Sequence, residues 1–284
     1  MDDAQPNREQ ATYWNEQGGP RWLAMQRDLD AELEPFGAAV MSRLELGPGE
    51  RVLDVGCGTG ATSLMLAERV RPGQVVGLDI SGFLLAKARE RGQAIENLRF
   101  ECADAQTFAF SGPSYDAVFS RFGVMFFSDP VATFGNLRMA LRAGGKLGFV
   151  CWRELGDNPL FVMPLEAALP FLPEPPQPPE PGAPGPFAFA DEDRLREVLE
   201  RAGYGDIEIT PHDRDLVVGG RKDLGGAVDM ALQLGPLGRA VSTLSDQTCA
   251  RVRAAVRDAF VPYHGSAGVK LPSATWIVTA RRQS

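Results

Sequence analysis

The chain has 284 residues, of which 44% are hydrophobic and 23% charged, a composition typical of one large globular domain or one domain with an insertion. Its formal net charge of −8 argues against nucleic-acid binding, which needs clustered basic residues. Only Arg251, Arg253 and Arg257 share a short basic stretch. No apolar run is long enough to span a bilayer, and the polar N-terminus does not resemble a secretory signal. We therefore expect a cytoplasmic protein with no membrane span and no nucleic-acid partner.

The predicted elements begin with a helical segment. Apolar side chains recur at helical spacing from Trp22 to Leu44, until the glycine and proline residues at 47–49 break the pattern. Strands and helices then alternate, which is typical of a parallel sheet covered on both faces. The predicted strands are 51–55, 74–78, 98–101, 115–120 and 146–152, and the predicted helices are 61–70, 83–91 and 130–142.

This alternation stops after residue 152. A helix is predicted over 158–172, and the proline-rich stretch 173–186 predicts an extended loop, because proline is excluded from regular helices and central strands. The elements predicted after it are a helix at 191–202, a strand at 207–218, helical structure over 222–260 and a final strand at 274–280.

A glycine-rich turn follows the first predicted strand. The run from Val52 to Gly60 reads VLDVGCGTG, a strand that enters a turn and then opens a helix. Glycine is needed where the backbone adopts conformations that a Cβ disfavours and where a ligand approaches it closely. Ligands of open α/β sheets bind at this end of the strands, so the turn is the expected ligand site.

Asp54 bears on the choice of ligand. The spacing of Gly56, Gly58 and Ala61 also satisfies the loose dinucleotide pattern G-x-G-x-x-G/A, so NAD is an alternative. The carboxylate of Asp54 would repel a pyrophosphate, but it would complement the sulfonium and ammonium groups of S-adenosylmethionine. The sequence thus favours S-adenosylmethionine over NAD.

Two further predicted strands end in acidic residues. Asp79 can accept hydrogen bonds from both ribose hydroxyls, as acidic residues at this place also do in NAD sites, and Ile80 would pack on the adenine. Asp104 is placed to accept a hydrogen bond from the adenine amino group, with Ala105 beside it. Acids at three successive strand ends therefore predict an adenosine-containing ligand.

In these features the chain resembles the class I S-adenosylmethionine-dependent methyltransferases. The resemblance rests on the run from Asp54 to Gly60, on Asp79 and Asp104, on the strand that begins at Tyr115 and on the turn at 141–146. Within the class, the chain is most similar to the group that contains the ubiquinone and menaquinone C-methyltransferases. The resemblance is strong over 47–152, weaker over 191–218, and fades outside these limits.

The resemblance implies an α/β fold with a doubly wound, Rossmann-like sheet of seven strands in the order 3-2-1-4-5-7-6. The last strand would be antiparallel, with a helical insertion before it. It implies an enzyme that uses S-adenosyl-L-methionine to methylate a small-molecule acceptor by in-line displacement. The expected cofactor-binding residues are Asp54, Gly56, Gly58, Gly60, Asp79, Ile80, Asp104, Ala105 and Ser120.

The chain divides accordingly into three parts. Residues 1–46 would form an N-terminal helical lid segment, and residues 47–221 together with 261–284 would form the cofactor-binding domain. Residues 222–260 would form a helical insertion that covers the substrate.

Candidate substrate residues are Trp14, Trp22, Arg121 and Phe122. Arg121 would either anchor an anionic substrate or satisfy backbone carbonyl groups, and the aromatic residues would line an apolar pocket or belong to the core. Arg121 and His264 are the candidates for a catalytic role, although no general base is evident. The four cysteines and two histidines show no metal-site spacing, so no metal is expected.

Several alternatives stay open. A chain of this kind can be a catalytically inactive binding module, or an NAD-dependent oxidoreductase. A base-modifying nucleic-acid methyltransferase is disfavoured, since Ser120-Arg121-Phe122-Gly123 stands where such enzymes carry an Asn/Asp-Pro-Pro-aromatic motif. An arsenic methyltransferase is disfavoured too, because no thiols cluster in the sequence. The sequence leaves open the acceptor atom and the oligomeric state, with a dimer among the options.

Overall fold

The computed structural model describes residues 7–177, 180, 182–220, 223–242 and 244–283. Its helices are α1 (Arg8–Glu16), α2 (Gly18–Ala24), α3 (Gln26–Leu44), α4 (Ala61–Arg69), α5 (Gly82–Gly92), α6 (Pro130–Ala140), α7 (Pro159–Ala168), α8 (Glu192–Arg201), α9 (Leu224–Ala231), α10 (Gly235–Val241) and α11 (Asp246–Phe260). Its strands are β1 (Arg51–Val55), β2 (Gln74–Asp79), β3 (Leu98–Cys102), β4 (Tyr115–Arg121), β5 (Leu141–Trp152), β6 (Tyr204–Val217), β7 (His264–Gly265) and β8 (Gly268–Arg282).

One sheet in the order β3-β2-β1-β4-β5-β8-β6 forms the centre of the fold. Strands β1 to β5 pair in parallel, and β8 runs antiparallel to both β5 and β6. The short β7 pairs only with β8 and lies off this path. The predicted seven-strand order with an antiparallel last strand is therefore confirmed, and helices α9 to α11 precede that strand.

Polar side chains start several of the helices. The hydroxyl of Ser81 accepts the backbone N–H of Leu84, and the carboxylates of Asp129 and Asp191 make the equivalent contacts at α6 and α8. Each such cap supplies an acceptor to an N–H group that the first turn of a helix leaves unpaired. The helices that follow the strands thus begin at positions the local sequence specifies.

Several predicted boundaries are wrong, since β5 begins at Leu141 and β6 at Tyr204, each earlier than predicted. The helix predicted to run to residue 142 ends at Ala140, because Leu141 is extended, with ψ 147°, and pairs with Tyr115. The final strand predicted over 274–280 is much longer, because Gly268–Arg282 pairs with β6 along nearly all of its length. Of the proline-rich stretch, residues 178–179 and 181 lie outside the described part, and the described remainder forms no helix or strand.

Apolar residues pack into separate clusters that place the site between them. The largest covers both faces of the sheet, as expected for buried parallel strands. A second joins α7 to the insertion helices and includes Ala168, Val228 and Phe260. In a third, Met25 and Leu29 of the N-terminal segment pack against Met230 of the insertion. The N-terminal and insertion helices therefore meet each other.

Within the described residues, no helix combines the length and the apolar character needed to cross a membrane.

Candidate cofactor and acceptor site

The glycine turn follows the carboxyl end of β1, next to the residues that follow its neighbour β4. Gly56 and Gly58 have φ of 69° and 53°, a region that side chains with a Cβ rarely adopt. A Cβ on Gly56 would come within 2.7 Å of the Gly123 Cα, whereas a Cβ on Gly58 would meet no atom within 4 Å. The turn is thus packed against the β4 side at Gly56 and open to a cavity at Gly58.

Asp79 fixes this turn from the end of β2. Its Oδ2 accepts the backbone N–H of Gly58 at 2.8 Å, and its Oδ1 accepts the backbone N–H of Ser81 at 2.8 Å. Burial raises the pKa of the Asp79 carboxyl, while these backbone hydrogen bonds act in the opposite direction. Asp79 and the neighbouring Ile80 both line the cavity, as the sequence predicts for residues that contact an adenosine.

Asp104 and Ala105 line the same cavity. The side-chain amide nitrogen of Asn7 donates to both carboxylate oxygens of Asp104, at 2.9 and 2.8 Å. The Asn7 side-chain oxygen accepts the backbone N–H of Ser128 at 2.9 Å. The start of the chain is therefore tied to the predicted adenine end of the site, a contact that sequence reasoning missed because 97 positions separate Asn7 from Asp104.

Asp54 does not face the cavity. Its side chain is fully buried, and its Oδ2 accepts hydrogen bonds from the hydroxyls of Thr62 at 2.7 Å and Ser63 at 2.6 Å. Its Oδ1 has no hydrogen-bond partner among the described residues. Burial raises the pKa of Asp54 to about 6. Thr62, which is hydrogen-bonded to Asp54, does line the cavity. Asp54 would therefore act on a ligand indirectly, through the Thr62 side chain.

Gly60 and Ser120 also lie outside the cavity lining. Gly60 is the residue before α4, and a Cβ there would come within 3.0 Å of the Phe100 ring. The hydroxyl of Ser120 donates to the carbonyl of Val55 at 2.7 Å and accepts the backbone N–H of Gly123 at 3.2 Å. Both residues shape the turns around the site, so a direct ligand contact by either one stays a prediction.

The cavity itself extends from the glycine turn to the insertion helices. Its empty volume is about 1940 Å³, part of which is open to solvent. Its lining continues past the residues assigned to the cofactor, so a second molecule would contact a different set of side chains. The insertion supplies Met230, Ala231, Gln233, Leu234, Gly235 and Leu237 to its lining.

Aromatic side chains make one wall of the cavity. Trp14 packs edge-to-face on Trp22 at 6.2 Å and on Phe126 at 5.2 Å between ring centroids. Phe122 stacks on Trp152 at 4.4 Å. Phe122 has φ 59°, an uncommon backbone conformation for a bulky residue that is often found at functional sites. The structure thus brings the predicted substrate residues Trp14, Trp22 and Phe122 into the lining of one cavity.

Arg121 also lines the cavity. Its Nη1 is buried with no hydrogen-bond partner among the described residues, and it forms no ion pair there. Desolvation lowers the pKa of the guanidinium, and the nearby carboxylates of Asp30 and Asp54 oppose this shift. A buried donor without an acceptor is costly, and the role of Arg121 as an anchor for an anionic substrate stays a prediction.

Glu32 is a cavity residue that the sequence analysis missed. It lies on α3, is only 7% exposed, and its Oε2 accepts the backbone N–H of Gly219 at 2.8 Å. Burial is the main cause that raises its pKa to about 7. The sequence did contain a signal for Glu32, because it lies among Leu29 and Leu33 on the buried face of α3. Glutamate is rarely buried unless it is paired, so this position could have marked it as a candidate.

His264 lies elsewhere. It is exposed on β7 and does not contribute to the cavity lining, so the structure gives no support to a catalytic role for it. Within the described residues, no three His, Cys, Asp or Glu side chains are arranged to hold a metal ion.

The sheet order and the glycine turn define a Rossmann-like fold, and the comparisons with known proteins agree with the predicted methyltransferase resemblance. Residues 52–145 match a family described as a methyltransferase domain. The chain is 38% identical over 133 residues to a demethylmenaquinone methyltransferase of Thermus thermophilus, a match that covers 44% of this chain and 60% of the relative. It is 32% identical over 142 residues to the aklanonic acid methyltransferase DauC of a Streptomyces species, covering 49% and 60%.

Among solved structures, the fold resembles a phosphoethanolamine N-methyltransferase of Haemonchus contortus in complex with phosphomonomethylethanolamine and S-adenosylhomocysteine. The TM-score is 0.52 at 18% identity, covering 87% of this chain and 52% of that one. The matched segments span about half to 60% of the length of the curated relatives. Residues 52–145 therefore match a methyltransferase domain, and the similarity of the chain to a demethylmenaquinone methyltransferase agrees with the predicted resemblance.

Proposed function

We propose that the chain is an S-adenosyl-L-methionine-dependent methyltransferase that acts on an apolar small molecule. One observation carries the proposal: a single cavity joins the glycine turn and the acids Asp79 and Asp104 to an aromatic wall that the N-terminal and insertion helices cover. The first part suits the cofactor and the second suits an acceptor. The related Thermus and Streptomyces enzymes are named for demethylmenaquinone and aklanonic acid, which supports a small-molecule acceptor.

The cavity residues fit this cofactor. Gly58 leaves free space where a Cβ would stand, so a ligand can approach the backbone closely. Asp79 and Asp104 would hold the ribose and the adenine, and the orphaned Oδ1 of Asp54 gives the turn end a negative field that suits the ammonium group. When bound, the cofactor supplies an electrophilic methyl group on a sulfonium.

The chain contributes alignment and exclusion of water. Alignment of two reactants can supply roughly 7–11 kcal/mol of the barrier, which is the largest contribution this site offers. Trp14 and Trp22 of the N-terminal segment and Leu234 of the insertion cover the acceptor end with apolar surface. We therefore assign the lid to the N-terminal segment and the substrate cover to the insertion at residues 222–260, of which residues 222 and 243 lie outside the described part.

The test is binding and turnover of the purified chain. We expect calorimetry to show binding of S-adenosylhomocysteine and no binding of NAD, and a screen of hydroxylated aromatic and quinol acceptors to show formation of S-adenosylhomocysteine. Binding without turnover on any acceptor would indicate an inactive binding module. Binding of NAD in place of S-adenosylhomocysteine would contradict the proposal.

The substrate-cover assignment has its own test. Leu234→Trp would fill part of the cavity, so it should raise the KM for the acceptor at least about tenfold while the Kd for S-adenosylhomocysteine changes little. Gln247→Trp is the matched control, because it places the same side chain on the exposed surface of α11. Equal effects of the two substitutions on KM would contradict the assignment.

A further inference from the structure

Methylation of a hydroxyl group needs an acceptor for its proton, and the described part of the cavity holds a suitable group at its acceptor end. The acids at the cofactor end, Asp79 and Asp104, are engaged by backbone N–H groups and by Asn7. Glu32 is a further carboxyl group of the lining, and it belongs to neither the glycine turn nor the strand ends. Nothing in the proposed cofactor binding uses it.

Contacts on both sides of Glu32 fix its position in the site. Leu29, Glu32 and Phe36 share one face of α3, since they are three and four residues apart. The Phe36 ring packs edge-to-face on Phe122 at 5.4 Å, and Phe122 directly precedes Gly123, against which Gly56 is packed. On the other side, Leu29 packs against Met230 of the insertion. Glu32 therefore lies between the cofactor turn and the substrate cover.

The Glu32 carboxyl group is held in place by the backbone. The N–H of Gly219, in the turn after β6, donates to Oε2 at 2.8 Å. This contact restrains the side chain from a turn that lies outside both α3 and the insertion at residues 222–260. A base that is fixed before its substrate arrives loses little entropy when the substrate binds.

Asp28, one turn earlier on α3, raises the pKa of Glu32, and Arg21 of α2 and Arg121 of β4 line the same cavity. Glu32 makes no ion pair within 4.0 Å in the described part of the chain, and Arg21 instead donates to the carbonyl of Gly238 at 3.3 Å. With a pKa raised to about 7, the carboxyl group is partly ionised at neutral pH, the range in which general bases work best.

We propose, on the basis of the proposed methyltransferase function, that Glu32 is the general base that accepts the proton of an aromatic hydroxyl on the methyl acceptor. The O–H proton passes to the Glu32 carboxylate, and an oxygen lone pair forms the new bond to the methyl carbon. The bond from that carbon to sulfur breaks, and its electron pair stays on sulfur, which loses its positive charge. The products are a neutral methyl ether, S-adenosylhomocysteine and a protonated Glu32 that releases its proton to solvent.

The substrate class follows from the lining. The cavity lining combines the carboxylate of Glu32 and the guanidinium of Arg121 with many aromatic and aliphatic side chains. An aromatic compound with a hydroxyl group meets both requirements, because its ring contacts Trp14 and Phe122 while its O–H reaches the carboxylate. We use 1-naphthol as the probe, because it has this skeleton and one acidic O–H.

The test compares the wild type with Glu32→Gln and Glu34→Gln, using 1-naphthol and S-adenosylmethionine. The amide introduced by Glu32→Gln keeps an acceptor for the Gly219 N–H but cannot take a proton, and we expect kcat to fall by about 100-fold or more. The wild-type kcat should rise with pH up to about 7 and then level off, and Glu32→Gln should lose this rise. Glu34, exposed on the same helix, is the matched control, and its variant should keep the wild-type profile.

A second measurement does not depend on turnover. In protein labelled with ¹³C at the glutamate carboxyl and saturated with S-adenosylhomocysteine, the Glu32 resonance should titrate near pH 7 and shift when 1-naphthol is added. A Glu32→Gln variant with wild-type kcat and pH profile overturns the proposal, as does a Glu32 resonance that 1-naphthol leaves unmoved. Failure of the wild type to bind S-adenosylhomocysteine would instead overturn the proposed function.

Discussion

Gly56 and Gly58 stand two positions apart in one turn, yet alanine should affect them in different ways. At Gly58, φ is 53° and a Cβ would meet no atom within 4 Å, so the substitution carries the backbone cost of the left-handed region alone, about 1 kcal/mol. At Gly56, the Cβ would also lie 2.7 Å from the Gly123 Cα, which adds roughly 1–3 kcal/mol of overpacking. We expect Gly56→Ala to cost about 2–4 kcal/mol in the free energy of unfolding.

Gly56→Ala should cause the greater loss of stability, whereas Gly58→Ala should cause the greater loss of cofactor affinity. The Gly58 Cβ would occupy the space that we assign to the cofactor, so Gly58→Ala should remain folded and lose more than about tenfold in affinity for S-adenosylhomocysteine. Guanidinium unfolding measures the first quantity, and calorimetry measures the second. Wild-type affinity in a folded Gly58→Ala variant would refute the placement of the cofactor at this turn. Equal destabilisation by the two substitutions would refute the packing argument.

Three further outcomes are expected. Asp79→Ala leaves the N–H groups of Gly58 and Ser81 without their acceptor, so affinity for S-adenosylhomocysteine should fall at least about tenfold, and unchanged affinity in calorimetry would contradict the site. Turnover should persist in EDTA, because no metal-holding group of side chains exists among the described residues, and activity lost in EDTA and restored by Mg²⁺ or Zn²⁺ would contradict this. Glu32→Gln should change how stability depends on pH. Burial raises the pKa of Glu32 from 4.5 to about 7, so the folded state holds the proton more tightly, and the stability that this supplies below pH 4.5 is lost as pH rises through 7. The free energy of unfolding of the variant, relative to that of the wild type, should therefore be higher at pH 8 than at pH 4.5, by at most about 3 kcal/mol. The same difference between variant and wild type at both pH values would count against the burial argument.

The sequence by itself determined the fold class and several of the residues that line the cavity. The alternation of strands and helices and the glycine run from Val52 to Gly60 are local signals, because hydrophobic period and turn chemistry act over a few residues. The sheet order implied by the family resemblance is confirmed. Asp79, Ile80 and Asp104 do line one cavity, because parallel strands end at the same edge of a sheet. Their contacts with the cofactor stay predictions.

The tertiary structure alone decided which side chains face the cavity. Asp54 resembles the other two acids in sequence, but the hydroxyls of Thr62 and Ser63 enclose it, and no local pattern records that burial. Asn7 reaches Asp104 across 97 positions, and Glu32 reaches Gly219 across 187. Such pairs depend on how α1 and α3 pack over the sheet and against the insertion. Long-range packing of this kind is set by the whole core, so residues read one segment at a time do not reveal it.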